Sequence, residues 1–136
     1  MTEVEFHTGI DDRQAFACRL LRKASAAGAR VVVRADPEQA AALDSALWTF
    51  DALSFVPHAR AGRSAPAATP IWIVEHLADA PHHEVLLNLG HDVADGFESF
   101  ARLIEVVTTQ DAEAGRNRWR HYKSRGYSIR HHENVP

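Results

Sequence analysis

"ARVVVRADPEQAAALDSALW", residues 29–48, decides the fold. Within it a strand hands over to a helix in three residues. Val31, Val32 and Val33 stand in succession, the β-branched composition of a short buried strand. Asp36 then offers a carboxylate to free helix N–H groups. Pro37 takes the first helical position, where its missing N–H costs nothing. Ala40, Leu43, Ala46 and Leu47 recur at helical spacing and predict an apolar stripe ending near Trp48.

The same alternation runs outward in both directions. Residues 4–7 alternate apolar and polar and read as a first strand. Asp11 or Asp12 caps the helix that follows, on which Ala17, Leu20, Leu21 and Ala24 form one stripe, and Gly28 ends it. Downstream, residues 51–70 are rich in Ala, Pro and Ser and predict a long loop. Strands are expected over 71–74, 84–89 and 103–107, with a helical turn over 97–100. The last helix is predicted to start at a Thr108 or Thr109 cap, run to about Arg125 and stop at Gly126. The tail, about 128–136, is read as flexible or as one added edge strand. Strand and helix in alternation mean parallel pairing through crossover helices, so the chain reads as one α/β domain over residues 1–136 with a mainly parallel sheet.

Composition narrows the function classes. The 136 residues carry 15 Lys+Arg against 18 Asp+Glu, a net charge of −3, which argues against a general nucleic-acid coat. No apolar run approaches the ~20 residues of a membrane span, and the polar start lacks the build of a secretory signal. A lone Cys18 forms no internal disulfide, which agrees with a cytoplasmic setting.

Familiar chemistry is missing. There is no phosphate-binding G-x-x-x-x-G-K-[ST], and the first turn, HTGIDD, sets two acids where a pyrophosphate would lie. Cys18 sits among apolar helix neighbours, and Ser54 and Ser64 lie in no nucleophile elbow. Nine His is many for this length, but no H-x-x-x-H or Cys pair gives metal-ligand spacing. No catalytic, cofactor or metal site is expected.

One segment stands apart. "GRNRWRHYKSRGY", residues 115–127, gathers Arg116, Arg118, Arg120, Lys123 and Arg125 around Trp119 in an acidic protein. At about 100° per residue, Trp119 falls about 60° to one side of Arg116, Arg120 about 40° to the other, and Lys123 about 20° away. These four share a face; Arg118, Tyr122 and Arg125 lie toward the opposite side. Cations around an indole suit an acidic partner with an apolar tip, as a peptide anchored at one residue. The same face could instead stack single-stranded nucleic acid, or it could be a solvated helix whose Trp119 packs on the core.

Three motifs carry a resemblance. LD-x-ALW at residues 43–48, SFVPH-x-x-AG at 54–62 and R-x-R-W-x-x-Y-K-x-x-G-Y at 116–127 are similar to the chi subunits of bacterial DNA polymerase III holoenzyme. The resemblance covers nearly the whole chain. It implies a Rossmann-like three-layer fold without a nucleotide-binding loop, and a non-enzymatic adaptor of the clamp-loader assembly. Such an adaptor binds the acidic, Phe-ended C-terminal tail of single-stranded DNA-binding protein (SSB) and is tethered through the psi subunit. DNA is then reached indirectly, through SSB, and an accessory repair helicase is a further partner in some bacteria. On this resemblance Arg116, Trp119, Arg120, Lys123 and Phe55 form the SSB-tail site. Trp119 stands where Tyr is common, Arg120 where Lys is common and Lys123 where Arg is common. An apolar pocket contact is expected between Val107 and Arg116, with Val107 the nearest candidate.

Overall fold

The computed structural model describes residues 1–49, 56–62, 65 and 68–134. The chain runs β1 (Glu3–Ile10), α1 (Arg13–Ala26), β2 (Val31–Arg34), α2 (Pro37–Thr49), β3 (His58–Arg60), β4 (Ile71–Val74), β5 (Val85–Asn88), β6 (Arg102–Thr108), α3 (Ala112–Ser124) and β7 (Ile129–Glu133). Two single 3₁₀ turns, Leu77–Asp79 and Phe97–Ser99, lie between β4 and β6. Among the described residues seven strands form one sheet in the order β3-β4-β2-β5-β6-β1-β7, and every pairing is parallel. This is the Rossmann-like three-layer α/β arrangement.

The triple valine shows why. Val31 and Val33 point into a core shared with Ala17 and Leu21 of α1 and Leu43 and Leu47 of α2. Val32 points the other way, into a second core with Phe6, Leu86, Leu103 and Tyr122 of α3. A strand buried on both faces must be apolar at consecutive positions, and β2 is. Local chemistry starts the first two helices as expected. Asp12 Oδ1 accepts from the Ala15 N–H at 3.1 Å. Asp36 Oδ1 accepts from the Gln39 N–H at 2.8 Å, while Gln39 Oε1 accepts from the Asp36 N–H at 3.2 Å, a reciprocal capping box.

Two features differ from expectation, and one open alternative is decided. Part of the long loop is a strand: β3 pairs with β4 from His58↔Ile71 to Arg60↔Ile73. It is short, and Ala59 is its one buried apolar residue, so it leaves almost no apolar pattern. The tail takes its edge-strand alternative over 129–133, with Val4↔Ile129 through Thr8↔Glu133 in register on β1. The cap of α3 is Asp111, not Thr108 or Thr109. Asp111 Oδ1 instead accepts from the Thr108 backbone N–H at 2.7 Å and from its hydroxyl at 2.8 Å, so the aspartate closes the turn that the threonine opens. Asp111 also pairs with Arg13, tying this turn to α1.

Candidate functional site

The basic segment divides when α3 lies on the sheet. Arg118 and Tyr122 face inward and are 1% and 0% exposed. Beneath them Glu105 of β6 is wholly buried. Arg118 Nε donates to Glu105 Oε1 at 3.0 Å, the Tyr122 hydroxyl donates to Oε2 at 2.5 Å, and Asn88 Nδ2 donates to the same carboxylate at 3.2 Å. Arg118 Nη1 also donates to the His91 carbonyl at 2.6 Å. Burial pushes the Glu105 carboxyl above the usual carboxylate range, against the pull of Arg118, Tyr122 and Asn88. Burial and the Glu105 charge hold the Tyr122 hydroxyl protonated far above its ordinary range. Arg118 therefore anchors the helix; it is not available to a partner.

Arg116, Arg120 and Lys123 lie on the solvent side, all exposed. Among the described residues none of the three forms an ion pair; Arg120 donates only to Asn117 Oδ1 at 3.0 Å. Trp119 lies between the two faces, half-buried. Its ring meets Phe6 edge-on at 5.0 Å and His131 at 5.4 Å. His131 Nε2 is held by the Thr8 hydroxyl at 2.7 Å.

Beside Trp119 opens a groove of about 580 Å³. Phe6 and Thr8 of β1, Val107 and Thr108 of β6, Gly115 and Arg116 of α3, and His131 of β7 contribute to its walls, with Trp119. Gly115 explains the close wall. A Cβ there would lie 2.6 and 2.7 Å from the two Val107 methyls, far inside contact distance, so α3 reaches β6 only because this position has no side chain. The groove is thus apolar at its base and cationic at the Arg116 rim. Arg120 and Lys123 do not line it. They continue along the exposed ridge, about 6 and 10 Å beyond Arg116 at 1.5 Å per residue.

Phe55 lies outside the described residues. The described part of its motif leads into β3, at the sheet edge opposite β7, with Val56 buried in the α1–α2 core. A larger cavity, about 1120 Å³, sits beyond the C-terminal ends of β2, β4 and β5, where α/β sheets commonly hold nucleotides. Its walls carry Glu75, Asp92, Asp95 and Glu98 against one Arg34, a field that repels phosphate.

The sequence places the chain in one family. The family described as "DNA polymerase III chi subunit, HolC" matches residues 1–130. The chain belongs to the DNA polymerase III chi-subunit family. It is 32% identical to the DNA polymerase III subunit chi of Pseudomonas aeruginosa over 97% of this chain and 96% of that one. It is 27% identical to subunit chi of Escherichia coli K12, over 89% of this chain and 85% of that one, and 29% identical to that of Haemophilus influenzae Rd, over 83% and 81%. Chi is an accessory subunit of DNA polymerase III and works in DNA replication.

The structure gives the chi-like motifs a physical reason. Asp44 Oδ1 on α2 meets His58 Nε2 at 2.8 Å, and His58 Nδ1 lies 2.7 Å from the Val56 carbonyl. Trp48, itself 58% exposed, tilts over His58 at 5.0 Å. LD-x-ALW and VPH are therefore two halves of one α2–β3 junction. Sequence reasoning placed Arg116, Trp119, Arg120 and Lys123 together, and α3 carries all four along one side. It missed Phe6, Thr8, Gly115 and His131, which come from three elements, β1, α3 and β7. Only Gly115 left a local signal, a glycine inside an otherwise strong helix.

Proposed function

We propose that this chi subunit is a non-catalytic adaptor that docks the acidic C-terminal tail of SSB on α3 and links SSB, through psi, to the replicase. The observation that carries the reading is the joining of an apolar groove to three exposed cations without ion-pair partners among the described residues. The terminal Phe of the tail seats between Phe6, Val107 and Trp119. Its terminal carboxylate meets Arg116 at the rim through a charge-assisted hydrogen bond. Upstream carboxylates then run along Arg120 and Lys123. Lys123 supplies a point charge there, without the planar fork of an Arg. Much of the attraction is electrostatic, so salt weakens binding. A half-buried Trp119 packed on Phe6 and His131 has less free face for stacking bases, which favours a peptide over single-stranded nucleic acid. Linkage to an accessory helicase is compatible with the same adaptor role.

Fluorescence anisotropy of a labelled SSB-tail peptide, beside labelled oligo-dT, tests the reading. Micromolar peptide binding, about −8 kcal/mol at 1 μM, is expected, weakened by salt and lost when the terminal Phe is deleted. Arg116→Ala should cost about 1.5–3 kcal/mol. Oligonucleotide binding without peptide binding refutes the adaptor. Phe55 enters through the resemblance alone and has its own test: unchanged affinity in Phe55→Ala removes it from the site and leaves the groove standing.

A further inference from the structure

The outer edge of the sheet brings together side chains that are far apart in sequence. Parallel pairing sets His7 of β1 directly beside His132 of β7. Glu5, two residues before His7, projects from the same face of β1. Glu5 Oε1 lies 3.2 Å from His7 Nε2 and 2.8 Å from His132 Nε2. One donor atom from each of the three falls within 4.8 Å of the others. The two imidazoles stack at 4.7 Å with 14° between their planes, so both offer Nε2 toward one point.

We propose that Glu5, His7 and His132 form a binding site for one Zn²⁺ ion that fastens β7 to β1. A tetrahedral ion with bonds of about 2.0–2.2 Å holds its ligand atoms a little over 3 Å apart. Two of the three separations already approach that value. Two imidazoles with one carboxylate are a donor set that suits Zn²⁺ over harder oxygen-seeking cations. Glu5 Oε2 accepts from Arg102 Nη2 at 3.0 Å, which fixes the carboxylate and leaves Oε1 free to ligate, the role of an outer-shell partner. Phe16 of α1 packs on the His7 ring at 5.0 Å and sets its plane. The Glu5 side chain is 17% exposed and that of His132 46%, so an ion would be sheltered on the α1 side with water completing its fourth position. His131 belongs to the opposite face, on the groove; an ion at His132 would therefore stiffen the strand that forms one groove wall. In the free protein the two rings share the carboxylate by hydrogen bonds, which the ion replaces.

The test uses the whole chain stripped with chelator, titrated with Zn²⁺ by calorimetry and with Co²⁺ by visible absorption. One saturable ion per chain, four-coordinate Co²⁺ bands and a raised melting temperature are expected. His132→Ala and Glu5→Gln should each weaken binding by at least the about tenfold that loss of an outer partner alone costs. His131→Ala, which removes a histidine from the other face of the same strand, should leave Zn²⁺ affinity unchanged. His132 is an exposed edge position, and circular dichroism checks that its variant folds. Absence of saturable binding, or equal loss in the His131 and His132 variants, overturns the site.

Discussion

Gly115→Ala tests how the groove is built. At an open helix interior this change stabilises by about 0.8–1.0 kcal/mol, because Ala loses less backbone freedom than Gly on folding. Here the new methyl would lie 2.6 and 2.7 Å from the Val107 methyls, where carbon contacts settle near about 3.5–4.0 Å. Close to 1 Å of relief must come from α3 lifting or from Val107 turning. Overpacking of this kind costs about 1–3 kcal/mol. The balance is a loss of up to about 2 kcal/mol. In urea, with a slope of about 2 kcal/mol/M, the midpoint falls by up to about 1 M. A double-mutant cycle isolates the cause. Val107→Ala removes both methyls, so it should cost less in the Gly115→Ala background than in the parent, with coupling of about 1 kcal/mol. Chemical denaturation of the four proteins reads the cycle. A stabilised Gly115→Ala, or two changes that add to within about 0.5 kcal/mol, would refute the close-approach argument.

Arg118→Met should destabilise the fold by about 3–5 kcal/mol, because it strands the Glu105 carboxylate without its cation; a loss under about 1 kcal/mol by urea denaturation would mean the pair adds little. His82 is 7% exposed, and burial holds its pKa below 6.5 in the folded chain. The unfolded chain therefore binds more protons there, so stability rises with pH up to about 6.5 and falls as pH drops below it, by at most about 1.4 kcal/mol per pH unit from this group. His82→Phe should flatten that slope in denaturation measured across the window; an unchanged slope would assign it to other groups. ATP should leave the melting temperature unmoved, and clear thermal protection would overturn the adaptor reading.

Most elements, though not β3, were legible because each is written locally. Val31–Val33, the Asp36–Pro37 start and the Gly126 stop all act within a turn or two of chain, and the α/β class follows from their order. The shared side of Arg116, Trp119, Arg120 and Lys123 was legible for the same reason, since helical period alone fixes it. Other features needed the sheet. That Arg118 turns inward, while Arg116 stays in water, depends on Glu105 waiting beneath it on β6. That the ridge borders a groove depends on β1, β6 and β7 meeting α3, and on Gly115 letting them close. Glu5 and His7 meet His132 only because β7 pairs in register with β1. Backbone propensity and periodicity reach a few residues along the chain, whereas burial and side-chain convergence are properties of pairings between distant strands, which the tertiary fold alone supplies.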